Sequence, residues 1–277
     1  MTSENPVKLS TRVAYAGYDF HRFMGFGVFD DLAGKVSLTD LVAIAITGRR
    51  LSTAERDVLD DVAAISTVAD PRIWLLKVAQ LVASHGGALT GVAAALLNMD
   101  NRYVSGWRVS PVVARFLVQL RADLGDRADD VAASTDYFEA YLAREPIFPG
   151  FGIPFRPQDE RLVALRACMH RRGRADLPYW RAMEQVAAIA RSSRHLEPNI
   201  LFGFAAACLD CGLAAEDIGP LSVVLVVHCF LANALESARQ APALLQRLPD
   251  VCIEYFGKPP RVSPRAADKT GTSQRAT

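Results

Sequence analysis

Apolar residues recur at three and four residue steps through most of this chain, while the apolar/polar alternation of a half-buried strand is scarce. That period puts side chains on one face of an α-helix. The abundance of alanine, the residue that costs least to place in a helix, points the same way. The expected fold class is all-α. At 277 residues the chain can bury a full core without a disulfide or metal staple.

Local signals mark the individual helices. Ser37 and Thr39 are start signals for a helix over Leu38 to Thr47, with Gly48 as its stop. Thr53-Ala54-Glu55-Arg56 opens a second, running through Val58, Leu59, Val62 and Ala63. Pro71 begins a long apolar helix, Ile73 to Ser84, and after His85-Gly86-Gly87 another spans Ala88 to Leu97. That helix is nearly free of charge, so it needs cover from the rest of the chain or from a second copy of it. Residues 111 to 144 give two amphipathic helices split near Gly125-Asp126-Arg127. Arg161 to His170 and Pro178 to Arg191 give two more, with basic outer faces of the kind that is solvated.

The run from Ile218 to Leu235 approaches the roughly 20 apolar residues of a membrane span. Pro220, His228 and Asn233 interrupt it, so a buried helix in the core or at a subunit interface is expected, with no membrane partner. After Tyr255 the chain turns polar through Gly257-Lys258-Pro259-Pro260, and residues 257 to 277 are expected to be a disordered tail.

The net charge of +1 removes the basic field that nucleic-acid binding needs. Five cysteines and no apolar leader suggest a cytoplasmic protein with reduced thiols. Cys208 and Cys211 form a CxxC, but it lies in a helical setting with no second pair to complete a zinc site, so packing is expected and no metal. His85 and His228 lie on apolar helices, where a hydrogen-bonded core histidine is the common finding. His21, His170 and His195 sit among charged or turn residues and read as surface groups.

The longest irregular stretch, 146 to 158, is a functional candidate by length alone. It contains Pro149-Gly150-Phe151-Gly152-Ile153-Pro154, followed by Asp159-Glu160-Arg161. This resembles the citrate synthase signature Pro-Gly-Phe/Tyr-Gly-His-Pro and Asp-Pro-Arg. Other segments carry the likeness from about Val13 to about Tyr255. Tyr15-Ala16-Gly17-Tyr18-Asp19 is similar to Arg-Gly-Tyr-Asp, and Thr47-Gly48-Arg49 with Leu51-Ser52 to Thr-Gly-Arg-Leu-Pro-Ser. Ala83-Ser84-His85-Gly86 resembles Ala-Ser-Thr-Gly. Glu197-Pro198-Asn199-Ile200-Leu201-Phe202 parallels Tyr-Pro-Asn-Val-Asp-Phe, and Leu231-Ala232-Asn233-Ala234-Leu235-Glu236 parallels Leu-Ala-His-Trp-Leu-Glu. The short length looks like the compact citryl-CoA lyase branch.

The resemblance implies a larger helical domain from residues 1–107 and 201–256 and a smaller one from 108–200. It implies a homodimer, coenzyme A thioester as co-substrate with no tightly bound cofactor, and a small-molecule acid as the other ligand. The loop Pro149, Gly150, Phe151 and Gly152 would meet coenzyme A, and Arg161 would hold an anion unless it simply pairs with Asp159 or Glu160 or is exposed at the start of a helix. The chemistry is altered, because Ile153 stands where the family has its ketone-side histidine and Leu201 where it has its aspartate base. The thioester-side histidine falls near Ser105, and a family arginine near Val226, where the helix offers only His228. Neither isoleucine nor leucine can move a proton, and a positioned acid or base is worth about 10² to 10⁴ in rate. Two readings follow: a repurposed acyl-CoA enzyme with Ser105 or His228 handling protons, or a non-catalytic subunit that pairs with an active paralogue.

Overall fold

The computed structural model describes residues 10–67, 70, 72–100, 106–145, 147–153, 156–240 and 249–258. The chain divides into two units, Met1–Leu244 and Leu245–Thr277. The second carries a 3-10 turn at Asp250–Cys252, and its expected disordered tail lies outside the described residues from 259 onward.

The first unit is helical, as the periodicity predicts. One feature departs from it: a three-stranded antiparallel meander, β1 (Ala14–Ala16), β2 (His21–Phe23) and β3 (Phe26–Gly27). These strands are two or three residues long, too short for alternation to register. His21, expected at the surface, is half-buried there with its ring edge-on to Phe29.

Helices α1 (Leu38–Thr47) and α2 (Thr53–Ile65) start on capping boxes. Ser37 Oγ accepts from Asp40 N while Asp40 accepts from Ser37 N, and Ser52 and Glu55 repeat the exchange. Gly48, at φ 71°, closes α1 in the left-handed conformation. Then come α3 (Trp74–Gly86), α4 (Ala88–Asn98), α5 (Gly106–Leu124), a 3-10 turn at Gly125–Asp129 and α6 (Val131–Arg144). After the long loop follow α7 (Glu160–Arg171), α8 (Pro178–Arg194), α9 (Ile200–Asp210), α10 (Ala215–Val224) and α11 (Val227–Arg239).

Two clusters of buried side chains hold the unit. The larger takes residues from α2 and from α5 through α10, among them Leu117, Phe138, Leu165, Trp180, Met183 and Phe202. The smaller is built from α3, α4 and α11, with Leu75, Leu76, Ala79, Ala95, Cys229 and Phe230 inside. The apolar run expected as one buried helix is two, parted at Leu225 and Val226, and Ala215–Arg239 is the one stretch among the described residues apolar enough to span a membrane. Half of its apolar window is buried against the protein. Asn233, which interrupts that run, bridges helices: Gln80 Nε2 donates to its Oδ1 at 2.9 Å, and its Nδ2 donates to Cys229 O at 3.0 Å.

Candidate active site

The long loop is fastened to the turn between α8 and α9. His195 ends α8 in the left-handed conformation, φ 56°, and the chain doubles back through Leu196 to Asn199. Gly152 N donates to Glu197 O at 3.0 Å and Asn199 N to Gly150 O at 2.9 Å, which makes a two-residue antiparallel contact of Phe151 with Pro198. The Asn199 side chain finishes the fastening. Its Nδ2 lies 3.0, 3.2 and 3.3 Å from the carbonyl oxygens of Pro149, Phe151 and Gly152, and its Oδ1 accepts from Leu201 N to cap α9.

Both loop glycines have a steric reason. A Cβ on Gly150 would sit 2.7 Å from the Phe148 ring, and Gly152 has φ +87°, a conformation that costs any other residue energy. Phe148 anchors the loop from below, with its ring centroid 4.7 to 6.2 Å from those of Phe116, Phe138, Tyr141, Phe151 and Phe202.

Asp159, 2% exposed, ties α7 to α9. Its carboxylate accepts from Arg161 N, Nε and Nη2 and from Ile200 N at 2.8 to 3.1 Å. Burial works against its charge, but the Arg161 guanidinium and the two backbone N–H groups outweigh that and hold the carboxyl below its usual range. Arg161 pairs with Asp159 rather than Glu160. The pair leaves Nη1 of Arg161 outside the fork.

A cavity of about 490 Å³ adjoins the loop. Leu142, Ile147, Phe148, Phe151 and Leu196 give it apolar walls, and Glu139 and Arg194, ion-paired with each other, also line it. The Arg194 hydrogen bonds hold the Glu139 carboxyl below its usual range.

The structure thus brings Pro149, Gly150, Phe151 and Gly152 together with the start of α9. Ile153 follows Gly152 and is half-buried, and Leu201, also half-buried, is the second residue of α9. Ser105 lies outside the described residues. His228 is placed elsewhere: it is exposed in the first turn of α11, a helix that packs on α3 and α4. Its Nε2 is 2.8 Å from Thr67 Oγ1. The Thr67 hydroxyl also donates to Ala63 O at 3.1 Å. His228 and His85 are exposed, which corrects the expectation of core histidines; each lies at a helix end rather than on the buried stripe.

Cys208 and Cys211 are both buried. Burial pushes the Cys208 thiol well up and Cys211 to about 11, the opposite of an activated nucleophile. Asn199 is the site residue that sequence reasoning passed over. Its motif was in view, but its partners lie 47 to 50 positions away, and no local pattern announces them. Arg194 was missed for the same reason, since Glu139 lies 55 positions from it.

No family model matches the chain, and no curated protein matches it. Solved structures do. A citryl-CoA lyase from Hydrogenobacter thermophilus superposes with a TM-score of 0.76 at 20% identity, over 94% of this chain and 99% of that one. ATP citrate lyase from Methanothrix soehngenii, solved with citrate and coenzyme A, gives 0.70 at 15% identity over 92% of this chain and 43% of that one. Citrate synthase from Thermoplasma acidophilum, solved as a ternary complex with carboxymethyl coenzyme A and oxaloacetate, gives 0.56 at 14% identity, over 84% and 60%. Across three proteins of very different length the shared part is the same helical body, and this chain has the citrate synthase fold in the compact form of citryl-CoA lyase.

Proposed function

We propose that this chain is a diverged member of the citrate synthase superfamily that binds a coenzyme A thioester and forms or cleaves a carbon–carbon bond, without ordinary citrate synthase activity. The observation that carries the reading is the fastened Pro149–Gly152 loop, held against 197–199 beside a cavity of about 490 Å³ with apolar walls and one ion pair. Solved proteins of the same fold bind coenzyme A or its derivatives, and the loop is where the sequence resemblance puts that contact. Arg161 offers its Nη1 edge to an anion while Asp159 fixes the rest of the guanidinium.

Ile153 and Leu201 make the acid side of the site apolar, so the second substrate is a small acid less polar than oxaloacetate. Ser105 and His228 are the remaining candidates to handle a proton. The same reading assigns residues 1–107 and 201–256 to a larger domain and 108–200 to a smaller one, and makes the protein a cytoplasmic homodimer that engages neither nucleic acid nor membrane. Titration calorimetry with coenzyme A and acetyl-CoA tests it: micromolar binding is expected, weakened for the acid partner by Arg161→Ala. No heat with any thioester overturns it, and so does rapid citrate formation from acetyl-CoA and oxaloacetate.

A second reading, a ligand-binding or assembly subunit paired with an active paralogue, is favoured by one observation. His228 is bonded to Thr67 and sits on α11, which packs on α3 and α4, so this candidate proton handler is not among the loop's partners. Tight thioester binding with no turnover on any acid, together with co-purification of an active relative, would favour it.

A further inference from the structure

We propose that Asn199 is the positioning residue of the thioester site, its side-chain amide setting the loop in its binding shape before any ligand arrives. This rests on the reading of the loop as the coenzyme A contact. Four consecutive carbonyls, those of residues 149 to 152, converge on this one residue: Gly150 O on its backbone N–H, the other three on Nδ2.

Carbonyl oxygens gathered in this way repel one another unless a donor stands among them, and the two hydrogens of Nδ2 are that donor. In a trans peptide the N–H lies opposite the C=O, so this convergence turns the N–H groups of residues 150 to 153 away from Asn199. Gly152 N then reaches Glu197 O at 3.0 Å, and Phe151 N reaches Phe148 O at 3.3 Å. Within residues 148 to 152, the left-handed Gly152 included, these hydrogen bonds run to the protein's own groups. Through Oδ1 on Leu201 N the same side chain fixes the start of α9, so loop and helix are set by one residue.

Asn199→Asp separates the two roles. A carboxylate caps a helix as well as an amide does, but it cannot donate, and it repels the three carbonyls. Hydrogen exchange is expected to show the Gly152 amide exchanging about tenfold faster or more in the variant, with α9 amides protected as in the wild type. Calorimetry is expected to show about tenfold weaker coenzyme A binding. Lowering the pH until the introduced carboxyl protonates returns one O–H donor, so protection and affinity recover in the variant, while the wild type shows no such gain. Unchanged loop exchange overturns the proposal, as does faster exchange with unchanged affinity, or loss with no recovery on acidification. Failure of the wild type to bind coenzyme A overturns the functional reading and the positioning role with it, a result distinct from equal binding by both proteins.

Discussion

Arg161 closes a two-bond fork on Asp159, Nε to Oδ1 and Nη2 to Oδ2, both at 2.8 Å, and the acid is buried while the base is a third exposed. The same carboxylate receives Ile200 N from another helix, so the pair fixes α7 and α9 relative to the loop. Asp159→Ala leaves Ile200 N without its acceptor and the guanidinium without its counter-charge. The expected loss is about 2 to 4 kcal/mol, below the range for a fully buried pair because water reaches Arg161. Urea unfolding of the two proteins checks it, and a loss under about 0.5 kcal/mol, the size of an ordinary surface substitution, would show that the fork contributes nothing.

Stability should fall on the acid side. Asp159 and Glu55 are both penalised by burial, yet Arg161 for the first, and Ser52 and Arg49 for the second, hold them below their ordinary values of 3.8 and 4.5. Folded-state values below the unfolded ones mean stability that is present above those ordinary values and lost as pH falls through the folded ones. The urea midpoint is therefore expected to hold between about pH 7 and 5 and to drop below about 4. Asp159→Asn should flatten the drop, and an unchanged slope in that variant would assign the acid sensitivity to other groups.

Gly91→Ala tests the contact between α3 and α4. A Cβ there would stand 2.5 Å from Ala79 O and 2.7 Å from Ala83 Cβ, one backbone atom and one short side chain, neither able to swing aside. Alanine's better helix propensity, worth about 1 kcal/mol, is outweighed by a forced separation of the helices. A lowered melting temperature is expected, and a raised one would mean the helices part at no cost.

Thiol reactivity separates the cysteines. Cys168, Cys208, Cys211 and Cys229 are buried, and Cys252 is exposed. At mildly alkaline pH one thiol per chain should react within seconds with a disulfide reagent and the four buried ones only on unfolding. Cys252→Ser should abolish the fast phase. Rapid reaction of Cys208 or Cys211 would return the CxxC to the list of chemical sites.

Most helix boundaries were legible because the signals are local. Ser37, Gly48 and Gly87 act on residues two to four positions away, and the structure uses each where the pattern places it, while Ser52 caps the helix that Thr53-Ala54-Glu55-Arg56 opens. The loop was legible through its Pro-Gly content and its family likeness. The staple was not, because Asn199 meets Pro149 across 50 residues and Asp159 meets Ile200 across 41. Histidine placement failed for a related reason: an apolar neighbourhood in sequence does not say which side of a short helix a residue takes, and His228 took the open side.

The apolar α4 is only partly covered among the described residues. Only Gly91 and Ala95 of this helix are buried, while Leu89 and Leu97 are 84% and 79% exposed. An open groove of about 610 Å³ lined by Ala93, Leu96, Leu97, Asp100 and Trp107 runs beside it. Val224, Leu231 and Leu235 add exposed apolar surface on α10 and α11, and α11 packs on α4. Among the described residues these helices pack on one another on one side and leave apolar side chains exposed on the other, so a second copy is the expected occupant, in keeping with the proposed homodimer. Sedimentation equilibrium should give about twice the 30.1 kDa chain mass. Leu97→Glu would then place an unpaired charge in the contact, leave the helical circular dichroism unchanged and shift the protein to monomer. A wild-type monomer at micromolar concentration would overturn the dimer.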